Sequence, residues 1–255
     1  MTNQLFDLRD RVAIIKGSGQ GIGFVIARGL GQAGATPVLN DIAEERLNRA
    51  ISTLSQEGLK TYGYLFDVTD SNQIGQKISD IEKEVGSIDI LVNNAGIQRR
   101  GPLETFDESI WQEVIDINLT AIFLITKQVA RGMIARRSGK IINICSIQSE
   151  ITRPSIAPYT AAKGGLKMLT KAMAVEWGKY NIQTNGIGPG YFTTEMTRAL
   201  VEDPQFNNWI CSRTPAGRWG DPSELIGTAV FLASRASDFV NGQIIYVDGG
   251  ILAAL

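Results

Sequence analysis

Short runs of β-branched and aliphatic residues recur along this 255-residue chain, separated by segments of helical period, and that alternation constrains the fold more than any other feature. The runs are VAIIK (12–16), TPVLN (36–40), YGYLF (62–66), DILVNN (89–94), KIINIC (140–145), IQTNGI (182–187) and QIIYV (243–247). Helical candidates fall near 21–33, 43–56, 71–85, 108–136, 158–179 and 222–234. Runs that stay apolar, without alternating polar residues, suit strands covered on both faces, and a parallel neighbour requires a crossover helix. Right-handed crossovers put those helices on both sides of the sheet. The pattern predicts an α/β chain with a doubly wound parallel sheet of about seven strands.

With 44% hydrophobic residues the chain can bury one large core, so residues 1–255 are expected to form a single domain. The tract near 190–220 breaks the rhythm with turn residues and the aromatics Phe192, Phe206 and Trp209. An irregular segment of that length in a compact domain reads as a substrate lid. A net charge of −1, without a basic tail, argues against nucleic acid or a membrane surface as partner and for a small molecule. MTNQLFDLRDR has no charged region followed by an apolar run, and no stretch approaches 18 uninterrupted apolar residues, so the expected location is the cytoplasm. Cys145 and Cys211 are far apart and His is absent, which leaves neither a disulfide framework nor a metal cluster. Acid–base chemistry must then use Tyr, Lys, Asp, Glu or a relayed water.

The first run leads directly into Lys16-Gly17-Ser18-Gly19-Gln20-Gly21-Ile22-Gly23 and an apolar helix. Glycines there let a pyrophosphate approach backbone N–H groups at the positive end of a helix. Placed between the first strand and first helix, the segment predicts a Rossmann-type dinucleotide site touching Gly17, Ser18, Gln20, Gly21 and Ile22. Asp41 ends the second strand, where a carboxylate can accept from ribose hydroxyls and favours NAD(H), or else merely caps the next helix. Asp67, with Val68 beside it, suits the adenine edge, or forms a turn. Asn93-Asn94-Ala95-Gly96 closes the fourth strand with small residues that let the cofactor approach. These strand ends converge on one crevice.

Ser146 follows the fifth strand, while Tyr159 and Lys163 lie four apart on the next helix and share a face. A protonated Lys163 would lower the Tyr159 phenol toward working pH, so that Tyr159 passes a proton to or from a substrate oxygen held by Ser146. Together with the upstream nucleotide site, the arrangement points to interconversion of a secondary alcohol and a ketone.

The combination resembles the short-chain dehydrogenase/reductase family over essentially the whole chain. The Gly17/Gly21/Gly23 spacing is similar to its cofactor motif, Asn93-Asn94-Ala95-Gly96 to its fourth-strand motif, and Pro189-Gly190 with Thr194 to its nicotinamide-side motif. Asn118, in IDINLT, matches the fourth catalytic position; the resemblance implies a backbone kink and a water-mediated proton relay from Lys163. It implies cofactor contacts by Tyr159 and Lys163 as well, and a homotetramer built through helices 108–136 and 158–179 and the C-terminal strand region. One position departs: the family usually has Thr where this chain has Lys16, whose ammonium could reach the phosphates or pair with Asp41.

Within the family, NNAGIQRR (93–100), KIINICS (140–146), APYTAAKGGLKMLTKAMA (157–174), NGIGPGYFTTEMTRALVED (185–203), RTPAGRWGDP (213–222) and SDFVNGQIIYVDGG (237–250) are similar to gluconate 5-dehydrogenases. That likeness implies a sugar acid substrate and NADP(H), sometimes NAD(H), against the simple reading of Asp41. A gluconate-like substrate needs a cation for its carboxylate, with Arg99 or Arg100 preferred and Arg153 next. Gln148 and Glu150 are candidates for its hydroxyls, alongside Ser146 and Tyr159. Alternatives are a 3-oxoacyl or other keto reductase, and a catalytically silent nucleotide-binding regulator.

Overall fold

In the computed structural model, which describes residues 2–254, all seven strands are present: β1 (Val12–Lys16), β2 (Thr36–Asp41), β3 (Tyr62–Leu65), β4 (Ile88–Asn93), β5 (Gly139–Ile144), β6 (Ile182–Pro189) and β7 (Ile244–Val247). They form one parallel sheet in the order β3-β2-β1-β4-β5-β6-β7. The chain winds one way from β1 and then, at β4, starts again on the other side. The loops after β1 and β4 therefore diverge, opening the crevice at which ligands bind in such sheets.

The helices are α1 (Gly21–Gln32), α2 (Glu44–Gln56), α3 (Ser71–Glu84), α4 (Glu108–Ile115), α5 (Ala121–Arg136), α6 (Ala157–Trp177), α7 (Arg198–Val201), α8 (Pro204–Arg213) and α9 (Ile226–Ala233), with a further helical turn at Thr2–Leu5. Alternate strand residues feed two cores. Ala13, Ile15, Ile90 and Val92 pack against Ile26 and Leu30 of α1 and Leu232 of α9, while Ile14, Leu91 and Ile141 pack against Ile78 of α3 and Ile125, Val129 and Met133 of α5. Burial on both faces explains why the runs are continuously apolar; each such Ile or Val contributes roughly 1.5–3 kcal/mol.

The expected helix 108–136 is divided. A π-helical turn, Asp116–Thr120, joins α4 to α5. The combined span Glu108–Arg136 is long and apolar enough on average to cross a bilayer, although polar residues interrupt it throughout and Ile122, Ile125, Val129 and Met133 are spent on the core.

A buried polar row fixes the carboxyl edge of the sheet. Asn93 Nδ2 donates to Thr126 Oγ1 and Asn143 Oδ1, both at 2.9 Å, and Asn143 Nδ2 donates to Thr170 Oγ1 at 2.9 Å. Since Thr170 belongs to α6, the row locks β4, β5 and α5 to the helix carrying Tyr159 and Lys163. Buried hydrogen bonds of this kind contribute about 1 kcal/mol each and cost more when broken singly.

Candidate active site

A cleft of about 350 Å³ opens along the carboxyl ends of β1, β2, β4, β5 and β6. At one end the turn after β1 forces Gly17 to φ +67°, and a Cβ there would lie 2.7 Å from the Cα of Ala95. Glycine satisfies both demands. α1 begins at Gly21 with Gln20 as N-cap, and no side chain caps its first N–H groups. Gly17, Gln20, Gly21 and Ile22 line the cleft, so uncapped helix N–H groups stand where a pyrophosphate would sit. Ser18 does not join them. It is fully buried and its hydroxyl donates to the Ile15 carbonyl at 2.7 Å, bracing the turn from below, which corrects its expected place among cofactor contacts.

Asp41 lines the next part of the cleft, but its carboxylate is occupied. Oδ2 accepts from Gly19 N–H at 3.2 Å; Oδ1 accepts from Ala43 N–H at 2.9 Å and from Arg46 Nη2 at 2.7 Å. Arg46, which the sequence reading missed, also lines the cleft. An arginine five residues beyond an acid on the following helix was the available signal. The partner of Asp41 is thus Arg46 and not Lys16. Lys16 points into the core, fully buried, and its Nζ has no hydrogen-bond partner. Its register partner on β4, Asn93, likewise has an unpaired Oδ1. Burial, with the charge of Lys163 adding to it, pushes the Lys16 amine down to about 7.

Asp67 and Val68 line the cleft beyond Asp41, and Asp67 also forms a turn, accepting from Thr69 N–H and Oγ1 at 2.8 Å. Across the crevice stand Asn94, Ala95 and Gly96. Asn94 Nδ2 donates to the Gly17 carbonyl at 2.7 Å, tying the fourth-strand loop to the glycine turn. Asn118 sits fully buried inside the π-helical turn. Its Oδ1 accepts from Ile97 N–H at 3.2 Å, and its Nδ2 donates to the carbonyls of Ile97 and Val114 at 2.9 Å. A Cβ on Gly96 would fall 2.5 Å from that Oδ1, so the amide and the glycine fit each other. The backbone irregularity at Asn118 is this π-helical turn.

Ser146, Tyr159 and Lys163 converge on the cleft wall. Ser146 caps the turn Ile147–Ser149, accepting from Gln148 N–H at 3.2 Å and donating to Gln148 Oε1. Lys163 Nζ donates to the Ile144 carbonyl at 2.6 Å and lies 5.5 Å from the Tyr159 ring centre. Burial dominates their electrostatics. It pushes the Tyr159 phenol up to about 12, with the Ser146 hydroxyl pulling the other way, and pushes Lys163 down to about 8. That reverses the expected fall of the Tyr159 pKa: without ligand this phenol keeps its proton.

Beyond Tyr159 the cleft is lined by Gln148, Arg153, Pro189, Gly190 and Thr194, with Tyr191 completing the wall. Arg99 is elsewhere, paired with Glu113 at 2.8 Å on the exposed surface. Arg100 is outside the lining but close enough to Arg153 that, after burial, their mutual repulsion lowers its pKa. Glu150 is engaged by Lys167 Nζ at 2.5 Å and Tyr246 Oη at 2.6 Å, so it is not turned to substrate hydroxyls. Over this end, α7, α8 and Trp219 form a small aromatic cluster in which Tyr191 meets Phe206 and Trp219 edge-on at 5.8 and 5.5 Å.

The model of the enoyl-(acyl carrier protein) reductase family matches residues 17–252. The chain is 55% identical to 5-keto-D-gluconate 5-reductase of Escherichia coli K12 over 99% of its own length and 100% of the relative's. It is 53% identical to gluconate 5-dehydrogenase of Gluconobacter oxydans, with 98% of each chain covered. The crystal structure of a gluconate 5-dehydrogenase from Burkholderia cenocepacia, in complex with NADP and tartrate, superposes with a TM-score of 0.97 at 52% identity over 100% of both chains. Similarity at this level over the full length, together with the strand order and the strand-end motifs, makes the chain a member of the short-chain dehydrogenase/reductase family.

Proposed function

We propose that the protein is an NAD(P)(H)-dependent oxidoreductase that interconverts gluconate and 5-keto-gluconate. The observation carrying this reading is one cleft that joins a glycine-turn nucleotide cradle at Gly17–Ile22 to the Ser146/Tyr159/Lys163 group and then to Arg153. Full-length identity to enzymes named for this reaction supports it.

A bound nicotinamide supplies or accepts the hydride at the carbinol carbon. The chain's residues handle the proton and the oxygen. Ser146 exchanges its bond to Gln148 for one to the substrate oxygen. The buried Tyr159, with its pKa pushed up to about 12, holds a proton that it donates to that oxygen as hydride arrives at carbon, turning the ketone into the alcohol. Lys163 stays cationic at neutral pH and stabilises the phenolate left behind. Asn118 anchors the fourth-strand loop and, in this reading, leads the replacement proton toward solvent.

NADP(H) is the better cofactor. Arg46 offsets the charge of Asp41, and its half-exposed guanidinium can meet a phosphate on the ribose. The lid is the 190–220 tract, and the assembly is a homotetramer.

Nicotinamide absorbance followed with gluconate, 5-keto-gluconate, a 3-oxoacyl thioester and simple ketones, each with NADP(H) and NAD(H), tests the assignment. The sugar acids with NADP(H) should give the highest kcat/KM; equal turnover across the panel contradicts it.

A further inference from the structure

Arg153, which lines the substrate end of the cleft, and its neighbour Arg100 have no acidic partner: among the described residues no carboxylate lies within ion-pair distance of either, whereas Arg46, Arg99, Arg198 and Arg218 each hold one. The acids that line the cleft are committed elsewhere, Asp41 to Arg46 and Glu195 to Arg198, while Asp67 stands at the nucleotide end. Arg153 Nε is buried with no acceptor, and its Nη1 reaches only the carbonyl of Pro154, at 3.4 Å. Two partly desolvated like charges side by side, one with an unmet donor, are costly until an anion joins them.

What positions Arg153 is the lid. Its guanidinium carbon lies 5.3 Å from the centre of the Phe206 ring on α8, over the ring face. Phe206 in turn packs on Tyr191, Trp209 and Trp219 at 5.8, 5.4 and 6.4 Å. Tyr191 Oη is 3.5 Å from Gln148 Nε2, and Gln148 holds Ser146. A continuous set of contacts therefore runs from Arg153 through the lid aromatics Phe206 and Tyr191 to Gln148 and Ser146, beside the reacting oxygen. An arginine stacked on an aromatic face keeps its planar edge, with its N–H fork, free for a carboxylate.

We infer that Arg153 is the residue that selects acidic substrates, binding the sugar-acid carboxylate on its free edge while Phe206 holds its other face, so that carboxylate recognition and lid packing are one event. The inference rests on the sugar-acid reading proposed above. Phe206 is a positioning residue acting through Arg153, and Arg100 reinforces the positive field from behind.

The test uses the full-length enzyme with NADPH and two ketones: 5-keto-gluconate and the neutral ketohexose bearing a hydroxymethyl group in place of the carboxylate. The wild type should favour the acid strongly in kcat/KM. Arg153→Met should lower that acid-to-neutral ratio at least about tenfold, and Arg153→Lys less, because an ammonium keeps the charge but loses the fork. Phe206→Leu should lower it about two- to fivefold and reduce the tryptophan fluorescence change that 5-keto-gluconate produces through Trp209 and Trp219. Should Arg153→Met fail to fold, the lysine and Phe206 variants decide. An unchanged ratio in these variants, with NADPH affinity intact, overturns the inference while leaving the substrate assignment standing. No acid preference in the wild type overturns both.

Discussion

At the scale of single residues, the most telling feature is a lysine that the core barely tolerates. Lys16 occupies the end of β1 with its amine fully buried and unpartnered. Its pKa of about 7 lies below the ordinary 10.5, so the unfolded chain holds the proton more tightly than the folded one. Below about pH 7 both states are protonated and the penalty is complete; as pH rises toward 10.5 it fades. We expect Lys16→Thr to stabilise the protein by about 2 kcal/mol at acid to neutral pH, with the gain shrinking in alkaline buffer. Thermal denaturation at about pH 6 and about pH 10 checks it; a loss of stability at both would contradict this account of Lys16. The same residue shows where a sequence falls short. Lys16 was conspicuous as a departure from Thr, but whether its ammonium reached Asp41, a phosphate or nothing depended on which face of β1 it occupied. Strand alternation from Ala13 and Ile15 on one side to Ile14 on the other sends it to the second core, away from both. The Arg46–Asp41 pair, by contrast, follows from the first turn of α2, which the sequence leaves free to rotate.

Among elements, the strands were the most legible and the long helices least. β1 was read to the residue and the other six within two, because continuous apolar runs have few alternatives in a doubly wound sheet. The π-helical turn at Asp116–Thr120 left no trace in the periodicity. The buried positions Val114, Asn118, Ile122, Ile125 and Val129 keep ordinary three- and four-residue spacing across it, and the turn's distinguishing feature is the set of Asn118 bonds to Ile97. The outer faces of α5 and α6 carry exposed Phe123, Met168 and Val175, and Phe239 stands wholly exposed before β7, whose residues are only half-buried. Such surfaces lie on the elements expected to meet other subunits in the proposed homotetramer. Light scattering should give four chains per particle, and Val175→Glu should yield smaller particles; a wild-type monomer would contradict the proposed assembly.

For the whole molecule, the sequence carried the site's inventory better than its orientation. Gly17, Asn94, Ser146 and the helical pair Tyr159 and Lys163 come from four regions of the chain, yet all line one cleft because the strand order brings these regions to the same edge. Ser18 and Arg99 were misplaced because a motif states position along the chain and not the direction of a side chain. The Tyr159 pKa differs from expectation for a related reason: spacing shows Lys163 nearby but does not show the burial that pushes the phenol up. The central claim is that hydride reaches a sugar-acid carbon while Tyr159 supplies the proton. The direct measurement uses NADPH deuterated at the transferable position, mixed with 5-keto-gluconate. The account predicts deuterium at carbon 5 of gluconate with the wild type, and transfer at least about a hundredfold slower with Tyr159→Phe, which should still bind NADPH. Label absent from carbon 5, or undiminished transfer by Tyr159→Phe, would contradict it.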